Sequence, residues 1–194
     1  MLDNETCGSA KRRRGIRLKE YDYSQPGAYF ITVCAYERSH IFGEIVDAEM
    51  KLNRYGEIVM ECWHNLRNYE PHTELDAFVI MPNHVHGIVV IRDAEVATKR
   101  HPLSEIVRVF KTSSSRRING VRNTGGVPVW QRSYWEHVIR DQDALNRIRN
   151  YILTNPGRWH LDRENSERIR EDSFDRWLID EGKKKLPQGR VDGF

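Results

Sequence analysis

From Leu75 to Ile91 the chain reads as strand, apart from one break at Pro82-Asn83. Each half is long enough for a β-strand, and only two residues join them, so the pair predicts an antiparallel hairpin. Proline lacks an N–H, which suits a turn and not a central ladder. The second half begins His84-Val85-His86. Alternate residues of a strand share a face, so both imidazoles project together and can grip one metal ion. Two buried imidazoles need partners in any case. Imidazole suits transition metals and Mg²⁺ prefers oxygen, so two histidines with one amide or carboxylate accept Mn²⁺ readily and Mg²⁺ more weakly.

The other elements follow from hydrophobic period. Tyr29 to Tyr36 is aromatic and β-branched and predicts a strand, with Ile41 to Val46 as its hairpin partner. Between Leu52 and Tyr69, Tyr55, Ile58, Val59, Cys62, Trp63 and Leu66 recur at helical steps, and Pro71 ends the pattern. Pro102 suits the first turn of a helix running to about Ile118, followed by a loop from Asn119 to Gly126. Val129 to Ile139 holds a strand around Trp130, Tyr134 and Trp135. Asp141 then caps a helix that reaches Thr154, where Asn155-Pro156 stops it. The order β(β)αββαβα predicts an α+β fold of ferredoxin-like type, an antiparallel sheet with helices on one face. The expected division is a basic flexible arm over residues 1–20, one domain over 21–159, and a partly disordered extension over 160–194. Phe174, Trp177, Leu178 and Ile179 in that extension predict a docking helix.

Tyr151 lies on the last helix of the domain, with Arg147 and Asn155 four residues to either side. A tyrosine can act as a covalent nucleophile, and a metal can prepare a phosphate for attack. Arg147 could offset phosphate charge. Asn155 could lend its amide oxygen to a metal or simply cap the helix end, and the residues alone leave both open.

Hydrophobic residues make up 39% of the 194, enough for a core, and charged residues 30%. No apolar run is long enough to span a membrane and no signal peptide is recognisable, which predicts a cytoplasmic protein. Three cysteines without a CxxC pair argue against disulfides or a zinc knuckle; Cys34 and Cys62 are expected to be core thiols. The net charge is only +3, but eleven Lys/Arg face four Asp/Glu between Lys99 and Arg149. Such a local basic field suits a polyanion groove, and equally a solvated surface. Lys111, Arg116, Arg117 and Arg132 are candidate phosphate contacts. Trp130 could stack on an unpaired base or belong to the core. Arg12, Arg13 and Arg14 could enter a nucleic-acid groove or serve as a solubilising tail.

Met81-Pro82-Asn83-His84-Val85-His86-Gly87 resembles the HUH motif of single-tyrosine transposases. The strings WQRSYWEH from Trp130 and YILTNP from Tyr151 resemble the REP-associated tyrosine transposases of the IS200-like group. The resemblance covers most of Tyr21 to Trp159. It implies an HUH endonuclease fold, His84 and His86 as metal ligands with Asn155 as a third, and Mg²⁺ or Mn²⁺ as cofactor. Tyr151 would form a 5′-phosphotyrosine link and free a 3′-OH. The partner would be single-stranded hairpin DNA, with a nucleoid-associated, monomeric or homodimeric enzyme acting in transposition or recombination. A rolling-circle-type replication initiator and a catalytically silent hairpin-binding regulator are the alternatives.

Overall fold

A computed structural model describes residues 21–69, 71–93 and 101–184; Arg12, Arg13, Arg14 and Cys7 lie outside them. Four strands form the main sheet: β1 (Gly27–Cys34), β4 (Thr73–Met81), β5 (His84–Ile91) and β6 (Trp135–Ile139), in the order β4-β5-β1-β6. All neighbours are antiparallel, with Val33 opposite Val85 and Thr32 opposite His86. A separate hairpin joins β2 (Gly43–Val46) to β3 (Glu49–Leu52). The helices are α1 (Arg54–His64), α2 (Leu66–Tyr69), α3 (Leu103–Arg122), α4 (Gln142–Thr154) and α5 (Ser173–Lys183).

The α+β class, the ferredoxin-like order and the β4–β5 hairpin at Pro82-Asn83 are as expected. The helices, however, cover both faces of the sheet. Tyr29, Ile31, Val33, Val85 and Val89 pack with α1 and α3, whereas Ala28, Phe30, Ile88 and Val90 pack with α4 and α5. Strands β1 and β5 are buried along their whole length, so an open face would leave half of their side chains in water. Phe174 and Leu178 of α5 are core residues, as a docking helix requires.

Three local expectations are corrected. Ile41 to Val46 does not pair with β1, whose two edges are occupied by β5 and β6; β2 pairs with β3 instead. Leu52 belongs to β3, and Asn53 caps α1 by accepting from the N–H groups of Tyr55 and Gly56. Helix α3 does not stop at Ile118. That side chain is seated in the core, and the helix runs on until Asn123 closes it in the left-handed conformation. Asp141 does cap α4, accepting from Ala144 N at 2.7 Å. Cys34 and Cys62 are buried free thiols.

Gly87 shows why the strand after the two histidines needs a glycine. The Trp63 indole of α1, stacked on Phe78 of β4, lies over it. A Cβ on Gly87 would stand 2.5 Å from Trp63 Cη2. Gly87→Ala is therefore expected to destabilise the fold by about 1–3 kcal/mol, read as a lower denaturant midpoint. An unchanged midpoint would mean that Trp63 moves aside freely.

Candidate metal centre and nucleophile

The face of β5 that carries His84 and His86 is the face on which α4 packs, and this brings Tyr151 to them. The two imidazoles meet at 3.0 Å between their Nε2 atoms. Their outer nitrogens are held by different devices. His84 Nδ1 is 2.8 Å from Asn83 Oδ1, and Asn83 in turn donates its amide to the carbonyls of Arg38 and Glu164. The turn residue thus fixes the ring beside it. His86 Nδ1 is 2.9 Å from Thr32 Oγ1, its cross-strand partner on β1. Second partners of this kind set which nitrogen of a ligating histidine faces the metal.

Asp162, at the end of the 3₁₀ turn Pro156–Leu161, completes the cluster. Its Oδ2 lies 3.6 Å from both Nε2 atoms. The same oxygen accepts from Asn155 Nδ2 at 2.9 Å and from the Tyr151 hydroxyl at 3.2 Å. Tyr151 Oη is also 3.4 Å from His86 Nε2. His84, Tyr151, Asn155 and Asp162 are all at most 4% exposed.

Asn83 Oδ1 can only accept, so His84 presents a lone pair at Nε2. Two lone pairs cannot face each other at 3.0 Å. The pair therefore holds either a proton on His86 Nε2, with the Thr32 hydroxyl donating to Nδ1, or a cation. Asp162 adds a third inward acceptor, and Asn155 Oδ1 is buried with no hydrogen-bond partner. Such an orphan is costly unless something positive reaches it. Two imidazole nitrogens, a carboxylate and a spare amide oxygen fit a divalent metal.

The local electrostatics agree with that reading. Burial lowers His84 to about 4, against the attraction of Asp162, so the ring is neutral at pH 7. Burial works against the Asp162 carboxylate, but the imidazoles of His84 and His86 and the Asn155 amide outweigh it and keep it ionised. Burial also pushes Tyr151 well above its ordinary value, helped by Asp162 and Asp175. The phenol is thus held protonated, with Phe174 stacked on its ring at 3.7 Å.

His137 on β6 is likewise lowered to about 4, by burial and by Arg140. Both histidines charge near pH 6.5 when unfolded, so they contribute stability above that pH, lost as pH falls toward 4. In EDTA the unfolding free energy is expected to fall over this window by on the order of 3 kcal/mol per histidine, read as a lower urea midpoint. A flat profile would show that neither ring is buried in the neutral form.

Asp162, Asn83 and Thr32 were not singled out from sequence. The acidic residues after Asn155 carry no motif that marks Asp162, and Thr32 is found only through strand register. The basic candidates are dispersed. Lys111, Arg116, Trp130 and Arg132 line one groove. Trp130 donates its indole N–H to Ser114 and packs on Phe42 and Phe110, as a core residue does. Arg117 is held in an ion pair with Glu61, and Arg147 lies over the Trp177 ring at 4.5 Å. Among the described residues no helix is long and apolar enough to cross a membrane.

The profile of the family described as IS200-like transposases matches residues 27–155. A protein of uncharacterised function from Haemophilus influenzae is 39% identical, over 77% of this chain and 91% of its own length. A second from that species, provisionally named a REP-associated tyrosine transposase, is 26% identical over 70% of this chain and 73% of its own. The solved structure of a REP-associated tyrosine transposase bound to a REP hairpin has the same fold, with a TM-score of 0.53 and 21% identity, covering 78% of this chain and 74% of the other. The profile match spans most of the chain, including both histidines and Tyr151, and the chain belongs to the IS200-like transposase family.

Proposed function

We propose that this chain is a metal-dependent single-stranded DNA endonuclease and strand transferase that acts on palindromic, REP-like hairpins through a 5′-phosphotyrosine intermediate. The observation that carries the reading is the meeting of Tyr151 Oη, two imidazole Nε2 atoms and the Asp162 carboxylate within one buried cluster. His84, His86 and Asp162 would hold the ion, with Asn155 orienting Asp162 and offering Oδ1. A bound Mg²⁺ or Mn²⁺ would act as a Lewis acid on the scissile phosphate.

Tyr151 Oη, oriented by its hydrogen bond to Asp162 Oδ2, attacks phosphorus as its proton passes to water. The P–O3′ bond breaks, the leaving 3′ oxygen picks up a proton, and a 3′-OH is freed. The phosphotyrosine ester keeps the energy of the diester, so a second 3′-OH can reverse the step without ATP. Tyr151 lies 3.4 Å from a histidine of its own chain, which favours use of the tyrosine in cis and a monomeric active unit. Arg116 and Arg132 would supply backbone contacts on one side; Lys111, Arg117 and Arg147 reach DNA only by leaving the carbonyls of Gln131 and Arg132, Glu61 and Trp177 respectively.

One observation favours a second reading, a silent hairpin-binding regulator: Tyr151 is only 4% exposed, beneath Phe174. End-labelled single-stranded hairpin DNA from beside the gene, incubated with Mg²⁺, Mn²⁺ or EDTA, separates the two on a denaturing gel. A labelled protein band that needs the metal is the expected result. Hairpin binding on a native gel with no covalent band under any condition would move the assignment to the regulator.

A further inference from the structure

Asp162 lies beyond residues 27–155, the span that the family profile matches, so the third acceptor of the cluster comes from the C-terminal extension. Its carboxylate is held at both oxygens. Oδ2 faces the imidazoles, while Oδ1 accepts from Glu164 N at 2.7 Å. This Asx turn ties the orientation of the carboxylate to the backbone at Glu164. Where Asp162 sits therefore depends on what fixes Glu164. The same backbone also meets the other side of the centre. Glu164 O accepts from Asn83 Nδ2 at 2.9 Å, and Asn83 Oδ1 is the partner of His84 Nδ1. One residue thus bonds both to the group that holds a histidine and to the carboxylate that faces it.

The Glu164 side chain is tied to the opposite wall. Its Oε2 accepts from Arg38 Nε at 2.9 Å and from Cys34 Sγ at 3.4 Å, residues 126 and 130 positions away in the chain. The Glu164 side chain is 6% exposed, so its charge needs a partner, and Arg38 supplies one. Arg38 takes part a second time, because its carbonyl accepts from Asn83 Nδ2 at 3.2 Å. The backbone is strained where it does so. Glu37 and Arg38 have φ of 53° and 55°, a left-handed pair without glycine. Residues with a Cβ avoid that conformation and keep it where their surroundings hold them, most often at functional sites. Both Arg38 and Glu164 act on the centre through Asn83 and Asp162.

We propose that the Arg38–Glu164 ion pair is a latch that positions the ligands of the metal centre. It clamps the C-terminal extension onto the loop after β1, and so sets Asp162 against His84. Arg38 and Glu164 are positioning residues. This rests on the proposed metal-dependent reading of the cluster. It adds that the third ligand is locked by one residue inside the profile match and one beyond it. A general tether of the extension would not have this property. Arg158 is such a tether: it bonds both oxygens of Asp172 at 2.6 Å, at the N-cap of α5.

Binding of Mn²⁺ alone, read from the electron paramagnetic resonance signal of the free ion, tests the latch without DNA or turnover. Glu164→Ala is the first variant. It removes the latch without leaving a buried charge, and Arg38, whose side chain is 41% exposed, turns to water. Arg38→Ala removes the other half. Each is expected to weaken Mn²⁺ about 10–100-fold, the range for residues that hold a ligand in place. In EDTA the variants should keep a single cooperative unfolding transition. The double variant should bind no more weakly than the weaker single one, because the two side chains act as one pair. Arg158→Ala should lower Tm and leave the Kd for Mn²⁺ unchanged. Should Arg38→Ala fail to fold, with Glu164 buried and unpaired, Glu164→Ala decides alone. Wild-type affinity for Mn²⁺ in Glu164→Ala would overturn the latch and leave the proposed function standing. Additive losses in the double variant, or an equal loss in Arg158→Ala, would also overturn it, by making the pair one tether among several. Wild-type protein that leaves the free Mn²⁺ signal unchanged would remove the metal-dependent function and the latch together.

Discussion

Tyr151→Phe is expected to abolish the covalent protein–DNA band, a loss of about 10⁴-fold or more, while hairpin binding on a native gel is unchanged. The substitution takes away the hydroxyl that, in the proposed mechanism, attacks phosphorus. It keeps the ring that stacks on Phe174 and packs with Phe30. The structural cost is the hydrogen bond from the hydroxyl to Asp162, about 1 kcal/mol, and Asp162 retains its bonds from Asn155 and from Glu164 N. For a chain of this size that is a Tm change of about 2–4 °C, too small to explain a lost activity by unfolding. Retained covalent labelling in Tyr151→Phe would show that another residue is the nucleophile.

The second large effect concerns the metal. Saturating Mn²⁺, at about a hundred times its Kd, is expected to stabilise the protein by about 2.7 kcal/mol, a Tm rise of about 5–10 °C. His84→Ala and Asp162→Ala should each remove the shift. Each deletes one of the three groups that converge within 3.6 Å. Asn155→Ala should weaken Mn²⁺ about 10–100-fold and leave a shift at higher metal, because its amide holds Asp162 in place. The reverse pattern, with Asn155→Ala blind to Mn²⁺ and Asp162→Ala responsive, would make the amide the third ligand and the carboxylate a bystander. Protein whose Tm ignores both Mn²⁺ and Mg²⁺ would mean that the pocket holds a proton on His86 instead.

Much of the centre was legible because it depends on short-range periodicity. His84 and His86 had to share a face once their segment was a strand, and the i, i+2 rule needs no tertiary information. The hairpin at Pro82-Asn83 and the cap at Asp141 rest on local turn and cap chemistry. Where the readings went astray, a competing partner decided. Ile41 to Val46 is strand-like, but its pairing depends on which edges of β1 are already taken. Asn119-Gly120 has loop chemistry, yet the burial of Ile118 carries α3 past it.

The sequence by itself determined an antiparallel α+β chain with two histidines on one strand face and a tyrosine on a later helix, because side-chain direction follows from backbone period. Only the tertiary structure decided that Asp162 joins them, that Asn83 and Thr32 hold the outer nitrogens, and that the helices cover both faces of the sheet. Those residues lie up to 130 positions from Asp162 or are joined to it through strand register, and no local pattern records which of many carboxylates folds back onto a buried imidazole pair.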